Sequence, residues 1–251
     1  MLYVTDLCES DSPCGFLKGI LPLKKKMFDN FVIALSPSLK GRMDCFSDPE
    51  IQFKTKRIGD YSYREIMTAA KDALVSCIVV DLDRDSHGAT LRELVAKSPL
   101  PVLVLNRGHS SGEVDLPSHV IFATDWSPAS EKAMEQILAI SECIYELDII
   151  HVISEKLTVK DMRDLKERLG HTRQICLDEG INAESHIYAG NVAEEIVTAS
   201  EDYRGTMIAV GSGTEKSFLK RLFKRDKVYN IVENATVPVF FVPVAALTSR
   251  D

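Results

Sequence analysis

The chain has 251 residues, of which 45% are hydrophobic and 27% charged, and its formal net charge is −7 at pH 7. This composition is typical of a globular protein, and the apolar runs are too short to cross a bilayer. Six scattered cysteines without a C-x-x-C pair, and the absence of a charged-then-apolar leader, favour a reduced, cytoplasmic protein.

Short apolar runs alternate with helix-length amphipathic segments along the chain. In the first half, strand-like runs fall at 1–6, 31–36, 77–81 and 101–105. In the second half, they fall at 120–124, 149–153, 183–188, 207–210 and 239–242. Apolar runs bounded by turn residues indicate strands that are buried on both faces, as in a parallel sheet under helices. The alternation of strand and helix therefore predicts an open, doubly wound α/β fold.

Helix signals separate these runs in the second half. Ser127 followed by Pro128 is typical of an N-cap and the first position of a helix. Ala133, Ile137 and Ile140 then recur at helical spacing, which predicts one apolar face.

The two halves of the chain repeat each other. Residues 65–72 and 195–202 agree at five of eight positions, and the strand-like runs match in the same order. A preserved order indicates a duplication. We therefore predict a first domain at 1–109, a linker at 110–118 and a second domain at 119–247, with the first domain shortened in two loops.

The charge is distributed unevenly between the halves. Residues 1–112 carry +1 and residues 113–251 carry −8, yet residues 216–227 hold six basic side chains and one acid. A cationic strip on an acidic domain is a candidate anion site, because phosphate needs local positive potential. The same run also suits a solvated helix face, so both interpretations stay open.

Several short motifs follow one another in a fixed order in the second half. They are Thr-Asp-Trp-Ser-Pro at 124–128, His-Val at 151–152, Gly-Asn-Val-Ala-Glu-Glu-Ile at 190–196, Val-Gly-Ser at 210–212 and Ala-Thr-Val-Pro-Val at 235–239. In this order, and with the repeat in the first half, they resemble the universal stress protein family in its tandem two-domain form.

The resemblance implies a fold of the adenine nucleotide alpha hydrolase type. Each half would hold a doubly wound, five-stranded parallel sheet of order 3-2-1-4-5. The halves would form an intramolecular pseudo-dimer through their last strands, whose apolar edges would then cover each other.

Nucleotide-binding members of the family carry a loop of the form Gly-x-x-Gly, nine residues, then Gly-Ser or Gly-Thr, after the fourth strand. Glycines allow backbone N–H groups to approach phosphates at a helix start. For the second half the resemblance implies a site for ATP or AMP, with Mg²⁺ if ATP is bound. The implied residues are Ala123, Thr124, Asp125, Trp126, Val152, Gly211, Ser212, Gly213, Thr214, Lys224, Arg225 and Asp226.

This loop departs from the family pattern at its end, because Arg225 and Asp226 stand where Gly-Ser is expected. Lys224 and Arg225 then bind the phosphates through charge-assisted hydrogen bonds, or the loop has lost its ligand. Trp126 has two interpretations as well, as a wall of an adenine pocket or as a cap on the sheet.

The first half has a degenerate version of the site. Asp6 and Gly88 remain, but Asp81, Asp83 and Asp85 stand where glycines are expected, and three carboxylates repel phosphate. Oxygen ligands at this spacing suit Mg²⁺ or Ca²⁺, but a solvated polar turn is the favoured interpretation. We expect no nucleotide in this half.

Two functions from different classes follow. The first is a non-catalytic, adenine-nucleotide-binding regulatory protein of the stress response, with its site in the second domain and with a second copy or another protein as partner. The second is a nucleotide-independent interaction module with both loops degenerate. No catalytic residue, resident metal, nucleic acid or membrane partner is predicted.

Overall fold

The structure is a computed structural model that describes residues 2–5, 32–35, 54–57, 59–81, 84–105, 118–212 and 225–243. The predicted linker at 110–118 therefore lies outside the described residues except for its last position. Asp6, Asp83, Gly213, Thr214 and Lys224 lie outside them as well.

Ten described strands form one sheet in the order β3-β2-β1-β4-β5-β10-β9-β6-β7-β8. Every neighbouring pair is parallel except β5 with β10. The strands are β1 (Leu2–Thr5), β2 (Val32–Leu35), β3 (Lys54–Arg57), β4 (Ile78–Asp81), β5 (Val102–Val104), β6 (His119–Ala123), β7 (Glu146–Ile153), β8 (Asn182–Ala189), β9 (Met207–Ser212) and β10 (Val239–Pro243).

Six described α-helices cover the two faces of this sheet. They are α1 (Tyr63–Asp72), α2 (Arg84–Lys97), α3 (Pro128–Leu138), α4 (Val159–Asp178), α5 (Val192–Asp202) and α6 (Arg225–Asn234). The predicted start of α3 is confirmed: Ser127 is its N-cap and accepts a hydrogen bond from the Ser130 N–H, and Pro128 follows. In the described ranges, no helix combines the length and the apolar character that crossing a membrane requires.

The predicted α/β fold with a mostly parallel sheet is confirmed, but the number of sheets differs from the prediction. The structure has one sheet of ten strands, whereas the family resemblance implied two sheets of five whose last strands are adjacent. The joint is the antiparallel pair β5–β10, in which Val102, Leu103 and Val104 oppose Phe241, Phe240 and Val239. Two apolar edge strands pair because each would otherwise expose an unpaired backbone edge.

Two apolar clusters fill the space between the sheet and the helices. One cluster lies under α1, α2, α5 and α6 and includes residues of both halves, for example Ile66, Val80, Ile121, Val210 and Phe241. The other lies under α3 and α4 and includes Phe122, Ile137 and Leu165. The first cluster is continuous across the β5–β10 joint, so the halves share a core.

We expect Phe241→Ala to destabilise the whole chain, because Phe241 is fully buried in the shared cluster and sits opposite Val102 of the other half. Truncating a buried Phe to Ala costs about 3–5 kcal/mol of unfolding free energy. The half-buried neighbour Phe240 packs on the opposite face, so Phe240→Ala is the matched control and should cost less. Denaturant unfolding followed by circular dichroism measures both; two separate transitions would contradict a shared core.

Candidate functional site

The candidate site lies where the carboxyl ends of β6, β7 and β9 meet. Ala123 at the end of β6 pairs with Ile150 of β7 and with Val210 of β9. The residues after these strands therefore lie at one edge of the sheet, where ligands bind in open α/β folds. This places the predicted segments around Asp125, Val152 and Gly211 at a common edge.

Asp125 joins the end of β6 to the first turn of α3. Its Oδ1 accepts hydrogen bonds from the Ser127 N–H at 3.0 Å and from the Ser130 hydroxyl at 2.7 Å. The Ser130 Oγ also lies 3.4 Å from the Asp125 backbone nitrogen, which donates to it. A carboxylate that bonds the backbone two residues ahead stabilises a turn before a helix. One oxygen of Asp125 thus has a structural role.

Trp126 packs against α4. Its φ angle of 51° is in the left-handed region that a bulky residue rarely adopts. Its Nε1–H donates to the Thr172 hydroxyl at 3.1 Å, and its ring centre lies 4.8 Å from that of His151. The Arg168 guanidinium stands 5.8 Å from the indole centre. These contacts hold the indole between α4 and the His151 ring of β7.

His151 is held at the same edge by the backbone of β6. Its Nδ1 lies 2.9 Å from the carbonyl oxygen of Thr124, so the ring donates from that nitrogen. Burial lowers the pKa of His151, against the opposing effects of the Thr124 carbonyl and the Asp125 carboxylate. The ring is therefore neutral near pH 7 and serves to fix the end of β6 against β7.

Gly211 is explained by packing against α3. A Cβ at Gly211 would lie 2.3 Å from the Ser130 backbone nitrogen and 2.4 Å from the Ala129 carbonyl carbon. Real Cβ atoms do not approach backbone atoms so closely, so α3 can lie on β9 only because position 211 has no side chain. Ser130 thus contacts both Asp125 and Gly211, two residues that the sequence assigned to a ligand.

Ser212 ends β9 with a buried hydroxyl group. The residue is 3% exposed, and no hydrogen bond to its Oγ is found in the part of the chain that the structure describes. A buried hydroxyl without a hydrogen bond costs about 1–3 kcal/mol. A ligand atom at this edge of the sheet could satisfy the Ser212 hydroxyl.

The remaining predicted residues of the second half differ in accessibility. Ala123, Thr124 and Val152 are at most 2% exposed, so a ligand in this crevice would meet their backbone rather than their side chains. Arg225 is the first residue of α6 and Asp226 is exposed in its first turn.

The first half differs from the predicted solvated turn. Asp81 is the last residue of β4 and is only 2% exposed, so the interpretation as a solvated carboxylate is wrong for this residue. The strand continues through position 81 and carries the carboxylate into the buried layer. Asp85 lies within α2, and Gly88 lies one residue after a break in helical geometry at His87. A Cβ at Gly88 would lie 3.9 Å from the Tyr229 hydroxyl, an ordinary contact.

A mostly parallel sheet covered by helices on both faces defines the doubly wound α/β class of fold. Within that class, the profile of the universal stress protein family matches residues 118–243, about half of the chain. The chain belongs to the universal stress protein family. A comparison with curated protein sequences finds no significant match.

Solved structures with the same fold cover nearly all of the chain. A universal stress protein from Archaeoglobus fulgidus DSM 4304 matches with a TM-score of 0.62 and 18% identity, over 96% of each chain. A functionally unknown protein from Pseudomonas aeruginosa PAO1 matches with a TM-score of 0.65 and 12% identity, over 96% of this chain and 92% of that one. At these identities the likeness shows the fold alone.

A third structure matches about half of the chain. It is a universal stress protein family protein from Arabidopsis thaliana with AMP bound, at a TM-score of 0.37 and 20% identity, over 51% of this chain and 92% of that one. The bound AMP is a ligand of that protein.

We expect Gly211→Ala to be strongly destabilising, because the new methyl group would meet backbone atoms of α3 that cannot rotate away. Overpacking typically costs about 1–3 kcal/mol, occasionally more. Gly170→Ala is the control: it lies in α4 with no atom within 4 Å of the added Cβ, and it should stabilise. Its expected gain is about 0.5–1 kcal/mol, from the helix preference of Ala over Gly. Equal effects of the two changes on urea unfolding would contradict the packing role of Gly211.

His151 makes the fold sensitive to acid. Since burial holds its pKa below the unfolded value, the unfolded state binds its proton first as the pH falls. Its contribution is complete above the unfolded pKa of about 6.5 and is lost as the pH falls towards the lower folded pKa. We expect His151→Asn, which keeps a donor for the Thr124 carbonyl, to reduce the loss of unfolding free energy between neutral and mildly acidic pH. An unchanged pH profile of stability would contradict this assignment.

Proposed function

We propose that this chain is a non-catalytic regulatory protein that binds an adenine nucleotide at the carboxyl edge of β6, β7 and β9. The observation that carries the proposal is the buried Ser212 hydroxyl, which has no hydrogen bond among the described residues and lies on the strand that carries Gly211. A hydrogen bond from a bound ligand would remove the cost of that orphaned group. AMP or ATP is the proposed ligand, with Mg²⁺ accompanying ATP.

The proposed contacts divide between backbone and side chains. Backbone atoms of Ala123 to Trp126 and of Gly211 and Ser212 border the nucleoside, together with the backbone of Val152. Lys224 and Arg225 supply positive charge for the phosphates, since Arg225 opens α6 and a helix start favours anions. Gly213, Thr214 and Asp226 complete the proposed set, which retains every residue that the family resemblance implied.

We further propose the tandem organisation, with domains at 1–109 and 119–247 and a linker between them. The sequence repeat supports it, and so does the strand order: β3-β2-β1-β4-β5 and β8-β7-β6-β9-β10 follow the same scheme from each end of the sheet. The pseudo-dimer is then the pairing of β5 with β10. A cytoplasmic location, a homodimer or protein partner, and a stress-linked role belong to the same proposal.

A second function has its own supporting observation. The space beside Gly211 is taken by the backbone of α3, and Ala123, Thr124 and Val152 are buried. These features suit an interaction module whose crevice has lost its nucleotide. The two functions differ in one measurable respect, which is whether adenine nucleotides bind the folded chain.

We expect AMP and ATP to raise the melting temperature of the full chain, because a ligand that binds only the folded state stabilises it by about 2.7 kcal/mol at 100 times its Kd. Ser212→Ala should leave the ligand-free chain as stable or more stable, since it removes an unpartnered hydroxyl. The same variant should weaken nucleotide binding by about 5-fold, because a hydrogen bond to a neutral group contributes about 1 kcal/mol. Isothermal titration with AMP, ADP and ATP, with and without Mg²⁺, measures the affinity.

Arg225→Ala tests the phosphate contacts, and it should weaken the binding of ATP more than the binding of adenosine. Arg163→Ala removes an exposed arginine from α4, on the other side of the sheet, and is the matched control. Failure of the wild-type chain to bind any adenine nucleotide at millimolar concentration would overturn the proposal and favour the interaction module. Asp125→Asn, which keeps the Oδ1 acceptor, separates loss of charge from loss of the turn.

A further inference from the structure

A second polar cluster lies near the amino ends of β6, β7 and β8, away from the proposed nucleotide site. Its members project from one face of the sheet, as the register requires: His119 pairs with Glu146, and Asp148 pairs with Glu184. His186 is two residues beyond Glu184 on the same face of β8. Five side chains with nitrogen or oxygen donors therefore meet on three adjacent strands.

Asp148 is the centre of this cluster. It is 7% exposed, and each of its oxygens faces an imidazole: Oδ2 lies 2.7 Å from His119 Nε2, and Oδ1 lies 2.8 Å from His186 Nε2. Donor atoms of Asp148, Glu184 and His186 all lie within 4.8 Å of one another. Carboxylates directly opposite each other on neighbouring strands repel, so the pair Asp148–Glu184 favours a cation between them.

We propose that Asp148, Glu184 and His186 bind a divalent transition metal ion of the zinc type. One imidazole nitrogen and two carboxylate oxygens form a ligand set that suits zinc, whereas Mg²⁺ and Ca²⁺ prefer oxygen alone. Zinc bonds of about 2.0–2.2 Å require the three donor atoms to lie closer together than the 4.8 Å that encloses them here. The Glu184 side chain therefore rotates towards the ion when the ion binds. Glu184 is exposed, and it provides both this freedom and the path of entry.

The cluster also has the outer partners that hold metal ligands in place. The Tyr203 hydroxyl lies 3.1 Å from His186 Nδ1, and the two rings stack with their centres 4.3 Å apart. With the metal at Nε2, Nδ1–H donates to Tyr203 and fixes the tautomer. His119 donates to the Asp148 oxygen that faces away from His186 and orients the carboxylate. His119 and Tyr203 are positioning residues in this site.

The described cysteines are the other potential zinc ligands, and they differ in how readily their thiols lose a proton. Burial raises the pKa of the Cys77 thiol to about 12 and that of Cys176 to about 11. A thiol must lose its proton to bind zinc, so both are poor ligands at neutral pH. Cys143 is partly exposed, which makes a test for sulfur ligation part of the experiment.

The test is a titration of the full, chelator-treated chain with Zn²⁺ and, separately, with Co²⁺. We expect binding of about one ion per chain and visible Co²⁺ absorption typical of a four-coordinate site, without a sulfur-to-cobalt charge-transfer band. Glu184→Gln, a change at an exposed position, and His186→Gln should each abolish the Co²⁺ spectrum. His119→Gln and Tyr203→Phe should weaken the affinity by about 10–100-fold, as outer partners do.

His171→Gln is the matched control, because His171 is an exposed histidine on α4 and should leave the affinity unchanged. Zn²⁺ should also raise the melting temperature of the wild-type chain but not that of Glu184→Gln. The proposal is overturned if the wild-type chain binds no Zn²⁺ or if Glu184→Gln and His186→Gln bind it equally well. A Co²⁺ complex with sulfur charge transfer would overturn it too. None of these outcomes depends on nucleotide binding.

Discussion

The architecture depends on the pairing of β10 with two different neighbours. On one side β10 is parallel to β9, and on the other it is antiparallel to β5, so a single strand of five residues carries the junction between the halves. Its side chains alternate between the two apolar clusters, with Phe241 in one and Val242 in the other. Every parallel strand beyond it needs helices on both faces. The junction therefore fixes which helices can meet, and α6 packs on α2 and α5 across it.

At the candidate site, the same residues serve the fold and the proposed ligand. The Ser130 hydroxyl donates a hydrogen bond to the Asp125 carboxylate, and the Ser130 backbone leaves no space for a Cβ at Gly211. The packing of α3 on the sheet therefore explains two residues of a motif that resembles a ligand site, Asp125 and Gly211. Among the described residues, the polar side-chain atom at this edge that has no hydrogen bond is the Ser212 hydroxyl.

Periodicity and apolar runs predicted the fold well because buried parallel strands are apolar on both faces. The run at 149–153 matches the end of β7, but its start at Glu146 was missed, since Glu146 and Asp148 interrupt the apolar pattern. Their partners lie on β6 and β8, and no local pattern reveals a partner so distant in the chain. The contacts of His119 and His186 with Asp148 join residues on three different strands, so they leave no local sequence pattern either. Ser130 and Thr172 were missed because the role of a helix hydroxyl depends on which residue packs against it, and here those residues are Asp125 and Trp126.

The antiparallel joint has a consequence for the placement of sites along the sheet. Because β5 and β10 run in opposite directions, the carboxyl ends of β6, β7 and β9 open on the opposite rim from those of β1 and β4. The His119–Asp148–His186 cluster therefore occupies the same rim as the buried Asp81 at the end of β4. Five strand spacings separate β7 from β4, about 24 Å at 4.8 Å each. Each half of the sheet thus carries a buried acidic side chain towards the same rim, although the two halves point their strands in opposite directions.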